Sequence, residues 1–143
     1  GVPLMQLLTL PPELFWLTLT TLMTALFWVP YILNWMVEQG AVKAVSDPDD
    51  YDHSRPRAAW AVRMFQAHQN AVENLVIFAP LVLTLHALGI SSDATVTACA
   101  VYFWARAAHF LVFTFAVPLL RVLTFATAFG AQMVLGLVLL GVV

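Results

Sequence analysis

Charge is scarce in this chain: six lysine or arginine and eight aspartate or glutamate residues among 143, or 10% of positions. A soluble helical bundle needs polar faces between its apolar stripes, and this composition does not supply them. Apolar side chains take 62% of positions instead, which places the chain among membrane proteins. A net charge of −2, with the few cations scattered, excludes a nucleic-acid partner, which would need a basic run or stripe. Cysteine is nearly absent as well. Cys99 stands alone in an apolar run, which excludes an intrachain disulfide and a cysteine-based metal framework and leaves a packing role. No basic stretch precedes the first apolar run and no small-residue cleavage pattern closes it, so no removable signal peptide is expected. Ser-His-Asp and Cys-His patterns, a phosphate-binding glycine loop and a paired-carboxylate signature are all missing.

What is present is a set of long apolar runs. Residues 14–37 carry no charge and are long enough to span a bilayer; 58–88, 94–115 and 118–142 give three further spans. The expected fold is therefore all-α: an integral membrane four-helix bundle in a single domain over 1–143. Pro11-Pro12-Glu13 suits a helix start, with proline in the first turn and an acid near the positive helix end. Trp16, Trp28, Tyr31 and Trp35 fit interfacial anchors, and Pro30 and Pro80 should bend their helices. Ser92 or Asp93 should cap the third span. The polar stretch 38–57 is read as a solvated loop. Its acidic cluster, Asp47 to Asp52 followed by His53, lacks the glycine and terminal glutamate of a calcium loop. Lys43, Arg55, Arg57 and Arg63 lie in or beside this loop, and no cation lies between Ala87 and Thr95, so the loop is expected to be cytoplasmic with both termini opposite.

The second span opens with groups that lipid should reject. At about 100° per residue, Arg63, Gln66, Asn70, Glu73 and Asn74 form one stripe of about 100°, with His68 pointing elsewhere as a packing residue. A charge at the bilayer centre costs roughly 2.5–3.5 kcal/mol, so this stripe should face other helices or a wet cavity. Tyr102, Arg106, His109 and Phe113 share a face of the third span; Arg121, Thr124, Phe125, Ala128 and Gln132 share one on the fourth. Arg121 lies in a helix first turn, where unpaired N–H groups also favour an anion. These groups are expected to meet at one depth as a cationic pocket, with Glu73 as the partner of the buried Arg106. His109 is placed to hydrogen-bond a bound carboxylate or phosphate. A purely structural polar network is the plainer reading, and a metal held by His68, His109 and Glu73 lacks a ligand motif.

Arg63-x4-His68-x-Asn70-x2-Glu73-Asn74, then Phe78-Ala79, then Ala105-Arg106-x2-His109 and Val117-Pro118-x2-Arg121 resemble the MAPEG family, the membrane-associated proteins in eicosanoid and glutathione metabolism. The likeness extends over nearly the whole chain and is nearest the bacterial branch, which implies an inner-membrane location. It implies homotrimers with glutathione bound between subunits near the cytoplasmic side. Asn70 and Glu73 match glutathione contacts of the second helix, Arg106 and His109 those of the third, and Arg121 the arginine facing the thiol. Arg63 completes the cationic set. The implied chemistry is attack of glutathione thiolate on an electrophilic or peroxidic lipophile arriving from the bilayer. Gln66 stands where the family usually has arginine, and Phe113 where it usually has tyrosine; Phe125 likewise offers no hydroxyl. Two rival expectations follow: a non-catalytic subunit of a larger membrane-protein complex, and a pocket for a lipid headgroup or quinone.

Overall fold

The computed structural model describes residues 9–46 and 58–143, and every regular element among them is an α-helix. We label them α1 (Pro12–Leu26), α2 (Val29–Gln39), α3 (Ala41–Ser46), α4 (Ala59–Ala87), α5 (Asp93–Thr114) and α6 (Pro118–Leu139). Four paths are long and apolar enough to cross a membrane: Pro12–Gln39, which joins α1 and α2, and then α4, α5 and α6, with mean hydropathies of 1.4 to 1.9. The acidic cluster and His53 lie outside the described residues.

Local chemistry explains the boundaries. Pro30 has no N–H to give the carbonyl of Leu26, and regular helix lapses at Phe27–Trp28, where a bend is expected. α4, by contrast, runs unbroken through Pro80. It ends at Gly89, whose φ of 68° lets Gly89 N–H reach the His86 carbonyl (3.1 Å) and Ile90 N–H that of Leu85 (2.9 Å). Ser92 then caps α5: its hydroxyl accepts from Thr95 N–H, and the Thr95 hydroxyl accepts from Ser92 N–H. α5 closes with the same pattern as α4, but Ala116 occupies the left-handed position at φ 58°, a strain of about 1–2 kcal/mol for a residue with a Cβ. Val117–Pro118 then starts α6, with proline in its first turn.

α5 is the hub. Its broadest contact is with α6, and α1 and α4 also pack on it. Small residues permit the close approach: Ala98, Cys99 and Ala105 of α5 share an apolar cluster with Ala128 and Ala131 of α6. Cys99 is buried there, as its setting implied. That cluster, centred on Phe78 stacked against Tyr102 at 3.8 Å, fills the half away from the polar loop. A second, with Phe27 stacked on Phe110 at 3.6 Å beside Tyr31, Met64 and Ala67, fills the half near it. The outer surface stays apolar, with Val76, Trp104, Phe115 and Leu119 all more than 60% exposed.

Two sequence expectations change. Tyr31 and Trp35 are not interfacial anchors but buried residues, because their i, i+4 face turns toward α4; the Tyr31 hydroxyl meets His68 Nδ1 at 2.7 Å. His68 thus packs away from the polar stripe, as its angle required. The described part of the polar stretch, residues 38–46, is largely helical rather than loop: Glu38 belongs to α2, Ala41–Ser46 form α3, and Glu38 Oε1 accepts from Asn34 (2.7 Å) and from the Ala58 N–H (3.0 Å) at the start of α4. At the opposite end buried Glu13 accepts from Ser91 and Thr95, each at 2.7 Å, tying α1 to the α4–α5 turn.

This inside-out arrangement sets a prediction. Phe78→Ala should destabilise the folded protein by about 3–5 kcal/mol, whereas Val76→Ala, on the lipid side of the same helix, should change it by less than about 0.5 kcal/mol. Denaturation midpoints in a mild detergent check both.

Candidate functional site

Between the two apolar clusters lies a layer of polar side chains from α4, α5 and α6. Arg106 is 2% exposed, and its Nη2 donates to Asn70 Oδ1 at 2.7 Å. Asn74 Nδ2 donates to the Asn70 carbonyl at 2.9 Å, and Gln132 Nε2 to the Asn74 carbonyl at 3.2 Å. One run of hydrogen bonds therefore stitches three helices. Arg106 Nε and Nη1 are buried and, among the described residues, take no acceptor. Neither does the Tyr102 hydroxyl close a bond of ordinary geometry, although the Gln132 side chain lies near it.

Glu73 is not the partner of Arg106. It lies about 60° around α4 from Asn70 and one turn on, so its carboxylate faces outward and is exposed. The shorter asparagine, pointing straight at α5, takes the guanidinium. Gln66 is exposed on the same outer edge. The three arginines do not share one depth either. Arg63 Nε donates to the Thr114 carbonyl at 2.8 Å, satisfying one of the last carbonyls of α5, while Arg106 lies eight residues earlier, about 12 Å deeper. Arg63 is thus a helix-end tie within the chain.

His109 is 3% exposed, and its Nδ1 sits 3.2 Å from the Arg121 carbonyl and 3.1 Å from Thr124 Oγ1. A carbonyl can only accept, and the Thr124 hydroxyl donates to the Leu120 carbonyl at 2.8 Å. The network therefore assigns the proton of neutral His109 to Nδ1 and leaves Nε2, buried and without a protein partner, as an acceptor. With the proton on Nδ1, the hydrogen bond that Nε2 offers is that of an acceptor. Arg121 itself is exposed, with its guanidinium carbon 5.1 Å from the centre of the Phe113 ring. Thr124 and Gln132 stood on the Arg121 face by angular count, yet nothing in the sequence marked them as partners of His109 and Asn74. Among the described residues no group of three His, Cys, Asp or Glu side chains is placed to hold a metal.

The site brings together Asn70, Arg106 and, through the α6 backbone, His109 with Arg121; it leaves Glu73 outside and Arg63 at the helix end. The sequence profile of the MAPEG family matches residues 18–141. The chain belongs to the MAPEG family. The match takes in the polar layer and every candidate residue, so membership and geometry concern the same part of the molecule. With its four apolar helices this MAPEG chain is a multi-pass membrane protein of a family tied to glutathione and eicosanoid metabolism. No curated protein and no solved structure matches the chain.

The Arg106–Asn70 contact is directly testable. Asn70→Ala should lower stability by about 3 kcal/mol by leaving a buried cation with no partner, and Arg106→Met in that background should recover most of the loss. A double-mutant cycle on detergent unfolding should give strong coupling for Arg106 with Asn70 and little for Arg106 with Glu73.

Proposed function

We propose that this MAPEG protein binds glutathione, or a related thiol, between the subunits of a homotrimer in a bacterial inner membrane, near the cytoplasmic side that carries the first loop. The observation that carries the reading is the buried Arg106 guanidinium, with Nε and Nη1 directed at no protein acceptor. A cation at this depth calls for an anion. Glutathione offers two carboxylates, amide N–H groups and a thiol. Arg106 with Asn70 would hold a carboxylate, and His109 Nε2 would accept from an N–H. Glu73, exposed on α4, would receive the ammonium, and Arg63 would add positive potential at the mouth. The exposure of Glu73 and Arg121 at membrane depth supports a covering by neighbouring subunits, since lipid would reject both.

Arg121 would face the thiol. A guanidinium in the first turn of a helix favours thiolate over thiol, and thiolate is the nucleophile. In a transferase step the sulfur forms a bond to the electrophilic carbon of a lipophile and the displaced group leaves with the bonding pair. In a peroxidase cycle two glutathione molecules give up two electrons and two protons to a hydroperoxide, yielding the disulfide, an alcohol and water. The second reading, a non-catalytic subunit of a larger membrane-protein complex, is favoured by Gln66 and Phe113, each of which removes a polar contact worth about 1–3 kcal/mol where buried.

Calorimetric titration with glutathione, read together with ultraviolet thiolate absorbance, separates the two readings. Binding with a thiolate signal that Arg121→Leu abolishes and Asn70→Leu weakens at least tenfold, about 1.4 kcal/mol, supports the first. No heat and no thiolate at millimolar glutathione retires it. A stable larger assembly on native gels after mild extraction would then favour the second.

A further inference from the structure

We propose that Phe113 positions the Arg121 guanidinium through a cation–π hold on its ring. The inference rests on the thiol-facing role of Arg121 given above. Three observations converge on it. The Arg121 guanidinium carbon lies 5.1 Å from the Phe113 ring centre, inside the range over which a ring quadrupole attracts a cation. Phe113 is half-buried against the cluster of Phe27, Tyr31 and Phe110, so the ring that receives the guanidinium is itself fixed. One turn earlier on α5, His109 Nδ1 lies 3.2 Å from the Arg121 carbonyl, and the His109 ring stands 5.8 Å from Phe113 and 6.0 Å from Phe125.

An i, i+4 pair on α5 thus grips a single residue of α6 twice: His109 takes its backbone and Phe113 its side chain. An exposed arginine otherwise samples many rotamers, and its field at any one point falls as the charge moves away. Held over the ring, the guanidinium is confined near one position while retaining N–H groups to donate. The hydroxyl of a tyrosine is dispensable for this, because tyrosine and phenylalanine present the same π-face. Phe113 is therefore a positioning residue, acting on the thiol only through Arg121.

The test reads the pH at which bound glutathione becomes thiolate, by ultraviolet absorbance of the detergent-solubilised protein. Phe113→Leu should raise that midpoint by about one pH unit, a tenfold loss of preference for thiolate. Phe113→Tyr and Phe113→Trp should hold the wild-type midpoint. Fluorinated phenylalanines at position 113 keep the ring shape while draining its face of electron density, and the midpoint should climb with each added fluorine. A structural role for the ring would leave that series flat. A wild-type thiolate signal whose midpoint is unmoved in Phe113→Leu and across the fluorinated series overturns the inference alone; no thiolate signal in the wild type overturns it together with the reading on which it rests.

Discussion

A guanidinium sealed from solvent at the depth of a lipid bilayer is the constraint from which the rest of this molecule follows. Arg106 is 2% exposed. Its Nη2 bond to Asn70 fixes the register of α4 against α5, because a one-residue slip would turn the amide about 100° away. Asn74 and Gln132 extend the same constraint to α6. Apolar contacts alone do not select a register between helices bathed in lipid, since a leucine is as content against an acyl chain as against another leucine. Polar layers do. The small residues on either side of the layer let the helices come close enough for these bonds to form.

The three arginines of the spans divide the work according to depth. Arg63 closes the carbonyl end of α5, Arg106 locks the interior, and Arg121 lies exposed beside an aromatic ring. That division distinguishes a purely structural network from one that also addresses a ligand. A structural network has reason to satisfy every buried donor, yet Arg106 Nε and Nη1 and the acceptor Nε2 of His109 remain without protein partners on the same face of α5. Within the MAPEG family this supports an anionic, amide-bearing ligand such as glutathione. At Phe113 the ring itself meets the site's exposed cation, its centre 5.1 Å from the Arg121 guanidinium carbon.

The membrane-spanning architecture was legible because it depends on chemistry that is additive along the chain. Four long apolar runs, a proline that interrupts the first, and a serine that caps the third span each act through their own backbone neighbours. The polar stripe of α4 and the Arg106 face of α5 were legible for the same reason, since helical periodicity fixes angles without reference to any other element. Family membership, too, was carried by spacing along the sequence.

Partner choice was not legible. Angular position places Asn70 and Glu73 in one stripe, and charge favours Glu73, but the distance from α4 to α5 admits the shorter side chain pointing straight across and turns the carboxylate outward. Tyr31 and Trp35 carry the composition of interfacial anchors, and only the packing of α2 on α4 turns them inward. The proton of His109 is set by Thr124 and the Arg121 carbonyl, groups on another helix. The sequence by itself determined which segments cross the membrane and which face of each is polar, because those depend on residues within a turn or two of one another. The tertiary structure alone decided which polar groups meet, because hydrogen bonds form over about 3 Å and helix-to-helix distances at that scale are written by all the side chains packed between them.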